Sequence, residues 1–466
     1  MEMRDFRGVR ATVLGLGGFG GGVAATRFLA TRGARVTVTD MKLKSDLSSS
    51  LQQLEGLPIE RLVLGSNPVD VLDECQLLVV NPAVNPSHPT LVKARSLGLQ
   101  ITTEIDLFLQ HQRGRIAAVT GSNGKSTTTA LLYRFLQAGW HGGRVWLGGN
   151  IGISLLEQVD QIEPVDWVVL ELSSFQLELL RERRFRPEIG VLTNFSPNHL
   201  DWHGTLESYR RAKQQLFAAQ RTDDISILPE ELECDEQWRV RGRRHVAGCA
   251  DGGGDGAFFF ESQLILRTDH GRREDCVRVE PSSRLPGQHN QRNVAMAACA
   301  AWLAGADPEC FAEVLKEFRP LPHRLQCVAQ GQGLQFWNDS IATTPESAAA
   351  AIRHFSGRAI VLAGGYDKGQ DLSELSAVIA EHAVGVVLLG QTAGLLKKQI
   401  EGQNERRIPL VMAGNFREAF DNAVALRDCG SVVLLSPGCA SYDWFRDFRQ
   451  RGEDFERMAR EWSAAE

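Results

Sequence analysis

Lys125 stands in the stretch "AAVTGSNGKSTTT", where an apolar run ends at Thr120 and Gly121 and the chain passes Gly124 into a helical pattern. Backbone N–H groups at such a helix start cradle a phosphate, the Lys125 ammonium neutralises it, and the Ser126 hydroxyl can ligate Mg²⁺. The spacing departs from the usual G-x-x-x-x-G-K-[ST], because only Ser122 and Asn123 separate Gly121 from Gly124. The competing reading is a Gly/Ser turn with a solvated lysine. Glu171 ends the run "WVVLE", and a carboxylate at the end of a buried parallel strand is a natural Mg²⁺ ligand. His199 and Asp201 follow "VLTN" in "NFSPNHLDWHG". Each alone reads as a loop or capping residue; convergence on one sheet edge favours function. In "TLESYRRAKQQLF" a helix would place Leu206, Tyr209, Leu216 and Phe217 on one face with Lys213 in the middle of it. That lysine either snorkels along the apolar surface or is a desolvated amine of depressed pKa, available for chemistry.

The elements that must position these residues alternate strand and helix, which predicts an α/β chain built of parallel sheets flanked by helices. Its 466 residues suit about three domains. The first block opens with "VRATVLG", runs through a helix from about Gly21 to Arg32, and ends near "EIDLFLQ". The second opens with "RIAAVTG" and contains the phosphate loop; a less regular region from about Asp223 to Glu280 carries antiparallel strands that decorate one side. The third has "RAIVLAGG", "VGVVLLG", "IPLVMAG" and "SVVLLSPG" as strands of a further Rossmann-like sheet. The domain limits fall at 1–104, 105–320 and 321–466.

Composition excludes several classes. With 43% hydrophobic and 23% charged residues the chain is neither disordered nor fibrous. It has no apolar run of membrane-span length and no signal-like N-terminus, which predicts a cytoplasmic protein with no membrane partner. A net charge of −6 argues against nucleic acid. Nine cysteines without a C-x-x-C pair predict reduced, mostly buried thiols rather than disulfides or zinc.

The opening "VLGLGGFGGGVAA" holds Gly15, Gly17 and Gly20 as G-x-G-x-x-G, with Asp40 about 20 residues on, as in nicotinamide-dependent oxidoreductases. That reading leaves "GSNGKST" unexplained. Together, "GSNGKST", "GGNIG", "LELSSFQLE", "HNQRN", "HR", "NDS" and "LSPGCASYDWFRDFRQRG" resemble the Mur ligase family, in the order of its glutamate-adding branch and across essentially the whole chain. The resemblance implies an N-terminal Rossmann-like UDP-binding domain, a central P-loop-type ATPase domain and a C-terminal Rossmann-like domain taking the amino acid. It implies ATP-dependent addition of D-glutamate to UDP-N-acetylmuramoyl-L-alanine through an acyl phosphate, a step of peptidoglycan precursor synthesis, by a monomer.

By the same resemblance Gly121, Ser122, Asn123, Gly124, Lys125, Ser126 and Thr127 hold ATP, joined by Asn290 and Asn293 and, from the third domain, Arg324 and Asp339. Two Mg²⁺ sites draw on Ser126, Glu171, His199 and Lys213, the last as a CO₂-derived carbamate; Lys125, His199 and Lys213 are the catalytic set. Gly18 and Phe19 contact the UDP diphosphate, with Asp40, Met41 and Lys42 at the uridine end. Asn150 contacts the substrate, and Thr343, Lys368, Ser441 and Phe448 meet the incoming amino acid. Ser441 also reads as a helix N-cap. One position departs from the branch: "NDSIATT" has Ile341 where "NDSKATN" has lysine. L-glutamate as the amino acid, or a sister ligase of the Mur or folylpolyglutamate type, therefore stay open.

Overall fold

The computed structural model describes residues 5–16, 20–82, 84–151, 154–181, 183, 185–250, 254–260, 262–279, 285, 287–319, 322–367, 370–403 and 407–464. Strands β1 (Arg10–Leu14), β2 (Arg35–Asp40), β3 (Ile59–Leu64), β4 (Leu77–Val80) and β5 (Gln100–Thr102) form a wholly parallel sheet in the order β3-β2-β1-β4-β5. The stepping reverses at β1, so the glycine loop leaving it opens at the switch point where such sheets take ligands. The following helix, Gly21–Thr31, presses on that loop through Gly22. A Cβ there would lie 2.4 Å from the Gly15 carbonyl oxygen and 2.5 Å from the Leu16 Cα. The third glycine of the motif, Gly20, instead supplies the left-handed turn, with φ 81°.

The second sheet contains β6 (Arg115–Thr120), β7 (Val145–Gly149), β8 (Trp167–Glu171), β9 (Ile189–Leu192), β10 (Ile225–Pro229), β11 (Arg243–Gly248), β12 (Gly256–Phe260), β13 (Gln263–Thr268) and β14 (Arg273–Arg278). Its order is β14-β13-β12-β11-β10-β9-β6-β8-β7. β6 lies between β9 and β8, so the loop after it again sits at a reversal. The 223–280 region corrects the sequence reading. β10, β11 and β12 continue the parallel sheet, and only β12, β13 and β14 pair antiparallel. The reason is burial: "ISILP" is buried at every position, as a strand covered on both faces must be.

The third sheet holds β15 (Gln326–Gly331), β16 (Leu334–Asn338), β17 (Ala359–Gly364), β18 (Gly385–Leu389), β19 (Leu410–Met412) and β20 (Val432–Leu435) in the order β15-β16-β20-β17-β18-β19. All but β15 are parallel, so the carboxyl ends of β16, β20 and β17 open side by side. The chain divides into two compact units, residues 1–280 with 292–315 and residues 281–291 with 316–466. Within the first, the helices of the first two sheets share one core through Phe28, Leu29, Ile105, Phe108, Leu156 and Ile162. Its edge is closed by the ion pairs Arg27–Glu157 at 2.9 Å and Arg32–Asp160 at 2.6 Å.

The nine cysteines are all free, but only Cys75, Cys299 and Cys439 are buried. The expectation of mostly buried thiols fails because Cys234, Cys276 and Cys429 lie in loops and on the edge strand β14. Among the described residues no helix is long and apolar enough to cross a membrane.

Helix propensity alone would make Gly22→Ala stabilising by about 1 kcal/mol. The backbone contact reverses that sign, and we expect a loss of about 1–3 kcal/mol. Chemical denaturation of the two proteins measures it; an unchanged midpoint would refute the close approach.

Candidate active site

The loop between β6 and the helix Lys125–Gly139 is shaped by backbone that only glycine adopts. Gly121 has φ 153° and Gly124 φ 78°. A Cβ on Gly121 would fall 1.8 Å from the Thr193 hydroxyl, and one on Gly124 would fall 2.3 Å from Asn293 Oδ1. Two lysines then meet on one atom. Lys213 Nζ donates to the Gly121 carbonyl at 2.7 Å, and Lys125 Nζ donates to the same oxygen at 3.0 Å and to Ser122 O at 2.9 Å. Lys213 is buried on the helix Leu206–Ala218 beside Tyr209, Ala212, Leu216 and Phe217, its ammonium position 4.4 Å from the Tyr209 ring centre. Burial first, and then the charge of Lys125, push its pKa well below that of an ordinary lysine. Snorkelling is thereby excluded, because the amine ends inside.

Other loop side chains fix the loop itself. Ser122 Oγ donates to Ser196 O at 2.9 Å and lies 3.0 Å from the Tyr209 hydroxyl. The Asn123 N–H donates to Asn194 Oδ1 at 2.9 Å, while the Asn123 carbonyl accepts from the side chains of Thr193 and Asn194. Thr193 and Asn194 were missed by sequence reasoning. Their signal was available: they directly follow β9, the strand paired with β6, and a residue there must face the loop that leaves β6.

Glu171 is buried at the end of β8, where Oε1 accepts from Asn150 Nδ2 at 2.7 Å. Asn150 thus holds the carboxylate. Oε2 is buried without a hydrogen-bond partner among the described residues, as is the hydroxyl of Thr127 in the first turn after the loop. His199 lies beyond β9 in a left-handed conformation, φ 55°, which costs a non-glycine residue about 1–3 kcal/mol. Its ring meets the edge of Phe175 at 4.8 Å, and His203 stacks on the same ring at 5.6 Å while its Nε2 lies 2.9 Å from Ser174 Oγ. Asn293, in the helix Gln288–Leu303, receives the Thr128 hydroxyl at 3.3 Å; Asn290 is buried one turn earlier. The side chain of Asp201 lies outside the described residues.

At the first switch point Asp40 is engaged by the protein: Oδ2 accepts from Leu16 N at 2.8 Å and Oδ1 from Lys42 N at 2.9 Å. It therefore ties the glycine loop to the turn carrying Met41 and Lys42, both exposed. Gly18 and Phe19 lie outside the described residues.

In the second unit Asp339 follows β16, buried, accepting from Ser436 Oγ at 2.8 Å and Leu325 N at 3.1 Å. Arg324 is flanked by His323 and Leu325, both with positive φ of 64° and 41°. Ser441 is buried beyond β20 and Thr343 half-buried beyond β16; Lys368, beyond β17, lies outside the described residues. Ser441 is not a helix N-cap. Its carbonyl accepts from Trp444 and Phe445, and the helix that begins at Phe448 is capped by Asp447. Sequence reasoning also missed Arg451, buried one turn into that helix, whose guanidinium holds the carbonyls of Ser340, Cys439 and Ala440 and the Ser340 hydroxyl. It locks the ends of β16 and β20 together.

Three family models match the chain: the Mur ligase MurD-like N-terminal domain over residues 9–103, the Mur ligase middle domain over 119–301, and the Mur ligase glutamate ligase domain over 323–439. The chain belongs to the Mur ligase family. Relatives include UDP-N-acetylmuramoylalanine–D-glutamate ligases of Roseiflexus sp., 38% identical across 97% of this chain and 98% of that protein, and of Acidobacterium capsulatum, 36% identical across 97% and 96%. The fold is that of the UDP-N-acetylmuramate-alanine ligase of Thermotoga maritima, with TM-score 0.62 at 18% identity, covering 97% of this chain and 99% of that one. It is also that of the same organism's MurF ligase in complex with ADP, with TM-score 0.55 at 18% identity, covering 98% and 96%. The oxidoreductase alternative for the first glycine loop is set aside, since the kinship to ligases runs the length of the chain.

The residues present suit a magnesium nucleotide. The loop is a cradle that a Cβ would fill, and the free Glu171 oxygen is the hard anionic donor that Mg²⁺ prefers.

Burial pushes the Asp339 carboxyl up to about 7, opposed by the Ser436 hydrogen bond and by Arg324. The folded ligase then keeps a proton there that the unfolded chain releases near pH 4. The stability this contributes is complete below about pH 4 and lost as pH rises through 7. We expect Asp339→Asn to flatten that part of the thermal-stability profile, read by calorimetry between pH 4 and 8; an unchanged slope would reject the assignment.

Proposed function

We propose that the chain joins D-glutamate to UDP-N-acetylmuramoyl-L-alanine with hydrolysis of ATP to ADP and phosphate, acting in the cytoplasm as a monomer. The observation that carries this reading is the pair of lysines on the Gly121 carbonyl: one in the phosphate loop, and one buried with its pKa pushed well down by burial and by its neighbour's charge. The names borne by the relatives support the substrates. The reading divides the chain at 104/105 and 320/321.

In this reading the amides of the loop and the helix start bind the ATP phosphates, and Lys125 leaves its own loop carbonyls to neutralise them. Mg²⁺ held by Ser126, Glu171 and His199 in two sites would screen the charge shared by ATP and the substrate carboxylate. The neutral amine of Lys213 would add to the carbon of CO₂ and release one proton, and the resulting anionic carbamate would join the groups that hold Mg²⁺. Asn150 keeps Glu171 aimed. The γ-phosphate passes to the carboxylate of UDP-N-acetylmuramoyl-L-alanine, and the glutamate amine displaces phosphate from that acyl phosphate to give the amide. The protein's share is positioning and charge stabilisation. Asn290, Asn293, Arg324 and Asp339 contact the nucleotide, with Thr127 in its loop. Gly18, Phe19, Asp40, Met41 and Lys42 hold the UDP end, and Thr343, Lys368, Ser441 and Phe448 the glutamate. Two carboxylates suit a lysine, hydroxyls and backbone donors. Ile341, half-buried where the branch often has lysine, favours testing L-glutamate as the second reading.

Phosphate release measured with UDP-N-acetylmuramoyl-L-alanine and each of D-glutamate, L-glutamate, meso-diaminopimelate and L-alanine tests the assignment. We expect turnover with D-glutamate alone; release that ignores the UDP substrate would overturn it, and preference for L-glutamate would move it to the second reading. For the carbamate, Lys213→Ala should lose at least 100-fold in kcat, roughly the scale of an electrostatic group lost from such a site, and recover with added short-chain carboxylates. Full activity without rescue would remove that role.

A further inference from the structure

Glu104 opens the helix Glu104–His111 at the end of the first sheet, half-buried, and its carboxyl accepts from the Ser154 hydroxyl. It faces two ways. Its Oε2 lies 4.0 Å from where a Cβ would stand on Gly21, the first residue of the helix that follows the glycine loop. Ser154 lies four residues beyond Asn150, which holds Glu171. One carboxyl therefore stands beside the start of the helix that follows the glycine loop in the first sheet while accepting from the segment that follows Asn150 in the second.

The N-terminus of the helix Gly21–Thr31 offers a partial positive charge to one anion. Glu104 already stands beside it, in a recess where two anions repel with little screening. The helix Glu104–His111 packs on Gly21–Thr31 and on the turn Leu156–Gln161. Their charged groups are engaged elsewhere: Arg27 with Glu157, Arg32 with Asp160, and Asp106 with Arg183, while His111 Nδ1 lies 2.8 Å from Leu107 O. Among the described residues Ser154 is the one side chain bonded to Glu104.

We propose that Glu104 is a positioning residue that takes up a proton from solvent when a diphosphate binds at the neighbouring helix start, turning from acceptor to donor and so coupling that loop to the one bearing Asn150. The inference rests on the reading of the first sheet as the UDP-binding one. Burial, opposed by the Ser154 hydrogen bond, already sets the carboxyl at about 7, within reach of such a change.

The test is calorimetric titration of UDP-N-acetylmuramoyl-L-alanine into the full chain at pH 7.5, in buffers of different ionisation enthalpy. A like charge arriving nearby raises the carboxyl by roughly one unit, so wild type should take up about half a proton per ligand more than Glu104→Gln. The substrate KM of wild type should rise several-fold from pH 6.5 to 8.5 while that of Glu104→Gln stays flat and kcat keeps its own pH profile. Equal proton uptake in wild type and Glu104→Gln overturns the inference. Absence of binding by wild type overturns the UDP reading instead. Should Glu104→Gln fail to fold, Ser154→Ala serves: loss of the opposing hydrogen bond must move the uptake maximum to higher pH, and an unmoved maximum overturns the inference.

Discussion

The site hangs on one carbonyl oxygen, that of Gly121. It accepts from a half-buried lysine and a buried one, so two potential cations share a single acceptor with little solvent between them. Burial and the neighbouring charge both disfavour the cationic form of the buried member. The rest of the loop is arranged so that this oxygen can be there at all. Gly121 needs a backbone and a clearance that only glycine has, and Thr193, Asn194, Ser196 and Tyr209 bind the loop on the side away from its mouth.

Three sheets repeat one architectural device. In each, a strand flanked on both sides by strands that come later in the chain, β1 by β2 and β4, β6 by β8 and β9, and β17 by β18 and β20, sends its following loop out at the edge where such sheets take ligands. The first loop is closed by Asp40, the second by the two lysines, and the third by Arg451, which ties the strand ends bearing Asp339 and Ser441. Asp40, Lys213 and Arg451 are buried polar groups bonded to backbone of these loops, so they help the crevices keep their shape.

Much of this was legible in the residues. Strands and helices alternate plainly because parallel strands buried on both faces are continuous apolar runs, and the phosphate loop shows itself by glycines and a lysine at a helix start. Lys213 was legible for a different reason: a cation in the middle of an apolar helical face is a contradiction that the fold had to resolve. What escaped was long-range. Thr193, Asn194 and Arg451 act through partners about 70 to 110 residues away, which no local pattern displays. In the 223–280 region the antiparallel strands were legible, but the parallel run through β10 and β11 was missed because glycine-rich punctuation outweighed one short buried run; Gly22 was overlooked because its role is clearance from the Gly15 turn, not conformation. The cap alternative at Ser441 failed because serine after a strand suits both a turn and a helix start.

His199 adds a tension of another kind. Its left-handed backbone is a conformation that glycine takes without strain. Most side chains would be strained there as well, so exchange for glycine is the change expected to relax the backbone, and it does so only by removing the ring that meets Phe175.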